Sequence, residues 1–200
     1  MIIVGLTGGI ASGKSTILKI IKKLKIPTHD SDAAVQELYK KRNINFISFL
    51  KKIGLSEAVE KKIINKKLIA MQIAKNKSKF LLLERFIHKE VKKSRQNFLK
   101  KNKNRKKKLV VLDVPLLFEK KINIICDWVI LAYCPQNIRR NRALKRKGAS
   151  KKFINQIFKI QMPDKIKKTK SHFIINTNKS KNYTFNKTLK VIEQIKSPKD

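Results

Sequence analysis

A three-layer α/β/α fold, with about five parallel strands covered by helices on both faces, is what this chain of 200 residues predicts. Three observations carry that expectation. The opening run Met1-Ile2-Ile3-Val4 is apolar and leads through a glycine-rich stretch into a helical pattern at Ile17, Leu18, Ile20, Ile21 and Leu24. Leu109-Val110-Val111-Leu112-Asp113 is a continuous apolar run ending in an acid, as expected of a strand buried on both faces. Further apolar runs then alternate with helical patterns to the end of the chain, which favours parallel pairing through helical crossovers.

The glycine-rich stretch is Gly5-Leu6-Thr7-Gly8-Gly9-Ile10-Ala11-Ser12-Gly13-Lys14-Ser15-Thr16, and it holds four of the six glycines in the chain. Gly8, Gly13, Lys14 and Ser15 satisfy G-x-x-x-x-G-K-[ST] between a strand and a helix. Glycines let the backbone wrap phosphate oxygens, and the N–H groups at the start of the helix point at them. Lys14 adds a point charge, and the Ser15 hydroxyl is placed to ligate Mg²⁺. A glycine-rich turn alone would not require the lysine or the flanking elements, so nucleotide binding is the expectation.

Next, Lys25-Ile26-Pro27-Thr28-His29 reads as a short second strand, and Asp30-Ser31-Asp32 opens a helix with Ala34, Val35, Leu38 and Tyr39 on its apolar face. Two readings of the acids stand side by side. One caps the helix while the other favours its positive end, or a carboxylate at the strand end beside a phosphate loop accepts a proton from a substrate hydroxyl. Residues 44–104 predict helices and no strand, with Gly54-Leu55-Ser56-Glu57 ending one helix and capping the next. His88, near Phe80, Leu83 and Ile87, fits a packed or hydrogen-bonded histidine better than a ligand. Lys100 to Lys108 reads as a solvated basic tether without interleaved aromatics.

Asp113, at the end of its strand, fits a Mg²⁺-organising carboxylate better than a helix cap. Residues 127–133 form another strand, and residues 135–147 a helix carrying Arg139, Arg142 and Arg146 at i, i+3 and i+7. That spacing puts three guanidiniums on one face, either to grip phosphates or as a solvated basic face. A second helix through Phe153, Ile154, Ile157 and Ile160 ends at Gln161-Met162-Pro163. His172 to Asn176 predicts the last strand, Tyr183 to Ile195 a closing helix, and Ser197-Pro198-Lys199-Asp200 a frayed tail.

Composition bounds the function. Fifty Lys and Arg against thirteen Asp and Glu give a formal charge of +37. A polyanion partner is one reading of it. A lysine, isoleucine and asparagine bias of A- and T-rich codons is the favoured other. No run of eighteen apolar residues suggests a membrane span, nothing resembles a signal peptide, and Cys126 and Cys134 fit no metal or disulfide pattern. A cytoplasmic, monomeric or weakly homo-oligomeric protein without a membrane or specific nucleic-acid partner is expected.

Five blocks in this order resemble the dephospho-coenzyme A kinase family of P-loop kinases: Gly5–Thr16; Asp30-Ser31-Asp32-Ala33; Asp113-Val114-Pro115-Leu116-Leu117-Phe118-Glu119; Arg142 with Arg146 before Gly148; and Gln161-Met162-Pro163 leading to Phe173-Ile174-Ile175-Asn176. The resemblance implies one kinase domain over 1–200, with a helical acceptor-binding insertion at 40–105 and a small helical lid at 135–170. It implies ATP-dependent phosphorylation of the 3′-hydroxyl of dephospho-CoA, with Mg²⁺. Ala11, Ser12, Gly13, Lys14, Ser15 and Thr16 would hold the ATP phosphates, with Lys14 on the transferred group and Ser15 and Asp113 at the metal. Asp32 would be the general base, Arg142 and Arg146 the lid arginines, and Glu84 and His88 part of the acceptor site. Three positions depart from the family pattern: Lys89 after His88, lysines instead of an arginine near Asn65, and His172 before the last strand. Rival readings are another small-molecule P-loop kinase, for a nucleotide or shikimate-like acceptor, and a nucleic-acid-binding ATPase.

Overall fold

A computed structural model describes residues 1–40, 43–61 and 63–197. Its strands are β1 (Ile2–Thr7), β2 (Thr28–Asp30), β3 (Val59–Glu60), β4 (Ile63–Ile64), β5 (Leu109–Asp113), β6 (Trp128–Tyr133) and β7 (Phe173–Asn176). Its α-helices are α1 (Lys14–Lys23), α2 (Ser31–Lys40), α3 (Ile44–Lys52), α4 (Lys66–Ala74), α5 (Lys77–Asn104), α6 (Gln136–Leu144), α7 (Lys151–Ile160), α8 (Asp164–Thr169) and α9 (Lys181–Lys196). The chain forms two compact units, Met1–His29 with Lys101–Asp200, and Asp30–Lys100. The tail residues Pro198 to Asp200 lie outside the described residues.

The first unit is built on the expected five-stranded sheet, in the order β2-β5-β1-β6-β7. Strand β1 pairs in parallel with β5 (Ile2 with Leu109, Leu6 with Asp113) and with β6, and β6 pairs in parallel with β7. Successive side chains on a strand point to opposite faces. Val4, Leu6, Val111, Ile130 and Ala132 therefore share one face, where they form a core with Ile17 and Ile21 of α1 and Val191 and Ile195 of α9. Burying each such side chain contributes roughly 1.5–3 kcal/mol. Val110, Leu112, Val129 and Leu131 are buried on the opposite face. There a Cβ at Gly5 would lie 2.9 Å from Leu117 Cδ2, so a side chain at that position would push the leucine aside.

The second unit has its own core, with Phe46 and Leu50 of α3, Leu55, Ile69 of α4 and Leu83 of α5 buried together. Phe86 stacks on Phe49 at 4.2 Å and on Phe46 at 5.4 Å between ring centroids. Helix α3 ends as Gly54 predicts. The left-handed Gly54 (φ 72°) lets its own N–H reach Lys51 O at 3.0 Å and that of Leu55 reach Leu50 O at 2.9 Å, a Schellman closure. Asn43 and Asn65 cap α3 and α4 through Phe46 N and Leu68 N, each at 3.1 Å.

Three expectations need correction. Residues 44–104 do contain strand, since Val59–Glu60 pairs antiparallel with Ile63–Ile64. Two residues per strand are too few to show a period, and Ser56–Ala58 before them makes only a 3₁₀ turn rather than a new helix. Helix α5 runs through Asn104, so Lys100 to Lys103 are helical and only Arg105 to Lys108 connect to β5. Lysine is a good helix former, and a run of it does not end a helix. Helix α8, after Pro163, was not anticipated; at six residues it is too short for an apolar period to show.

Candidate active site

The loop between β1 and α1 is fixed by side chains from distant parts of the first unit. Ile10 N donates to Gln161 Oε1 at 2.9 Å, and Thr177 Oγ1 donates to Ser12 O at 2.5 Å. Gly13 is left-handed (φ 80°), and a Cβ there would sit 2.7 Å from Thr177 Oγ1. At Gly9 a Cβ would fall 1.7 Å from Arg139 Nη1, so the backbone rests directly on a guanidinium. Helix α1 starts immediately, with no side-chain cap and no acid in its first turn. The start of such a helix offers backbone N–H groups to an anion, although Thr16 N already donates to Gly13 O at 2.9 Å. The loop also carries one buried hydroxyl without a hydrogen-bond partner, Ser12 Oγ.

Register places the acid. Leu6 opposes Asp113, and Val114 N donates to Leu6 O at 3.0 Å, so the end of β5 lies beside the start of the loop. Thr7 Oγ1 adds a bond to Pro115 O at 3.1 Å. There Lys14 Nζ forms an ion pair with Asp113 Oδ1, with the two side chains 17% and 4% exposed. The structure thus brings together the two charged residues that the sequence put at the loop and at the strand end. Ser15 and Thr16 are exposed on the first turn of α1.

The arginines do not form one face. Helix α6 ends at Leu144, so Arg146 lies beyond it, in an exposed turn. Arg139 is only 4% exposed. It is held by Asp164 Oδ2 at 2.5 Å and Cys134 O at 3.1 Å, with its guanidinium 5.1 Å from the Phe158 ring centroid. A period of 3.6 cannot tell which arginine will meet an acid 25 residues later. Arg142 remains on the surface and donates to Thr177 O at 3.3 Å, the residue whose hydroxyl holds Ser12. Burial pushes the Cys134 thiol up, against the pull of the Arg142 and Arg139 charges. That group stays a neutral thiol and fills space.

In the second unit Asp30 is the cap of α2, with Oδ1 accepting from Ala33 N at 3.0 Å. Asp32 is exposed in the first turn of the same helix, at its positive end. Glu84 Oε1 and His88 Nε2 stand 3.6 Å apart one turn from each other on α5, a loose contact near the surface rather than a hydrogen bond. A cavity of about 380 Å³ lies between α2 and α5, lined by Ala34, Glu37, Leu38, Asn43, Glu90, Lys93, Ser94 and Asn97. None of Asp32, Glu84 and His88 lines it.

Sequence reasoning did not identify Thr177, Asp164 or Lys167 as supports of the site. Gln161 and Glu119 stood in blocks singled out for their resemblance, but without a role. Nothing local marks a threonine after a strand as the prop of a loop 165 residues away.

Comparison with known proteins decides between kinases that share this fold. The family model described as "Dephospho-CoA kinase" matches residues 2–182. The chain belongs to the dephospho-CoA kinase family. A dephospho-CoA kinase of Bartonella quintana is 34% identical over 195 residues, covering 98% of each chain. A crystal structure from Thermus thermophilus superposes with a TM-score of 0.80 at 25% identity over 98% of each chain. The dephospho-CoA kinase of Campylobacter jejuni shares the fold, with a TM-score of 0.69 at 22% identity over 96% of each chain. As a family member, this protein is a kinase that phosphorylates dephospho-CoA with ATP.

Proposed function

We propose that phosphoryl transfer goes from ATP to the 3′-hydroxyl of the dephospho-CoA ribose, and that the residues read from the sequence carry it. The observation that carries this reading is the Lys14–Asp113 pair beneath an uncapped helix N-terminus, in a chain of this family. Backbone amides from Ala11 to Thr16 hold the ATP phosphates, and Lys14 follows the transferred group. Arg142 and Arg146 offset the charge that spreads over its oxygens. Asp32 accepts the proton of the attacking hydroxyl. Glu84 and His88 help to hold the acceptor. Catalysis of this kind is positioning plus electrostatics, since the reaction itself asks for little covalent help from the protein.

Mg²⁺ fits the donors present. Among the described residues no three His, Cys, Asp or Glu side chains converge on a cage. Mg²⁺ rarely needs one, being held by one or two protein oxygens together with phosphates and water. The Asp113 carboxylate and Ser15 hydroxyl are such hard oxygen donors, and the ion would neutralise charge between the phosphates. In the same reading the chain acts as one kinase domain, with 40–105 serving the acceptor and 135–170 closing as a lid that excludes water. It works in the cytoplasm, as a monomer or weak homo-oligomer. Both cysteines are free, which suits a reducing compartment.

The test is Asp32→Asn. ATP binding by calorimetry stays near wild type, and ADP release dependent on dephospho-CoA falls by about 10³-fold, within the range of general-base loss. Wild-type turnover in that variant rules out the base assignment.

A further inference from the structure

Glu119, at the far end of the block that begins with Asp113, and the block Gln161-Met162-Pro163 supply no group to the chemistry above. They meet in a network behind the phosphate loop. Gln161 Oε1 accepts from Ile10 N at 2.9 Å, and the next residue, Met162, donates its N–H to Glu119 Oε1 at 2.7 Å. Glu119 in turn faces Lys167 Nζ at 3.0 Å, and that lysine is completely buried. Breaking such a buried pair by moving one partner is costly, which favours keeping Glu119 where it is. Beyond Pro163, Asp164 clamps Arg139, whose Nη1 lies against Gly9. The four residues 161–164 therefore support Gly9 and Ile10 by two separate routes.

We propose that Gln161 is a positioning residue for ATP. Its carbonyl fixes the leading edge of the loop, so that the amides following Ile10 stand where the phosphates need them. Glu119 and Lys167 hold Gln161 to that position through Met162. Gln161 directly follows the last residue of α7, so the same bond ties the second helix of the lid region to the loop. An uncharged acceptor suits the place, because a carboxylate there would set an anion near the phosphates. Gln161 itself touches no substrate in this scheme. The inference rests on reading the loop as the ATP site.

The test compares Gln161→Leu, which removes the acceptor at similar volume, with Gln161→Asn, whose carbonyl is one methylene short of Ile10. ATP affinity is read by calorimetry without acceptor, steady-state constants are read for both substrates, and thermal melts are recorded. Both variants should bind ATP about tenfold more weakly, the scale of one unpaired buried amide. KM for dephospho-CoA should stay within about twofold of wild type. If Gln161→Leu fails to fold, Gln161→Asn carries the comparison alone. Unchanged ATP affinity, or equal shifts for both substrates that follow the loss of melting temperature, overturns the proposal. A wild-type protein that bound no ATP would overturn the reading of the loop, and this proposal with it.

Discussion

The phosphate loop and the helical unit keep their polar side chains in place by different means. Around the loop the partners are remote in sequence: Ile10 with Gln161, Ser12 with Thr177, Lys14 with Asp113. In the helical unit many are three or four residues apart, as in Asp30 with Ala33, Asn43 with Phe46, Asn65 with Leu68 and Glu84 with His88, beside longer bonds from Gln72 to Glu57 and from Lys79 to Gly54 O. A geometry fixed from several directions is preorganised, and removing one support moves groups that must be accurate to fractions of an ångström. A side chain on an exposed helix face is set by the helix alone and adapts when a neighbour changes. The loop should therefore tolerate little and the helical surface much.

Lys14→Met should break the contrast most sharply. It takes a cation from the loop and from Asp113 together, and kcat/KM for ATP should fall by about 10³-fold in an ADP-release assay. Gly13→Ala comes next. It forces a side chain into left-handed backbone and toward Thr177 Oγ1, and should lower stability by roughly 1–3 kcal/mol in denaturant titration while weakening ATP binding. Glu84→Gln is the mildest. Loss of an exposed pair should leave stability within about 0.5 kcal/mol and ATP constants unchanged. A rise of a few-fold in KM for dephospho-CoA alone would sharpen its place on the acceptor side. A large loss of stability in that variant would break the contrast.

The same contrast explains what could be read in advance. Lys14, Ser15 and Asp113 were legible because chemistry fixes their residue types at set offsets from apolar runs that announce strands. The sheet was legible because β1, β5 and β6 are buried on both faces and read as unbroken apolar stretches. Arg139 was read with Arg142 because helical spacing treats them alike. Only Asp164, folded back from beyond Pro163, turns one inward. Thr177 and Gln161 depend wholly on where the fold carries them. The ladder of β3 and β4 lies below the length at which alternation can be seen. In the helical unit, that ladder apart, the helical character of 44–104 was legible. The residues alone left two readings of the acids at 30 and 32, and the resemblance singled out Asp32 as the base and put Glu84 and His88 on the acceptor side.

The Lys14–Asp113 pair has a consequence for turnover. On the proposed reading of the loop, the lysine meets an arriving triphosphate as a cation that already has a counter-ion, so binding there would be ion exchange rather than capture. The strength of its hold on phosphate is measured against a carboxylate instead of against water. In that reading such an exchange would limit how tightly the spent nucleotide is retained, because Asp113 would take the lysine back as ADP departs.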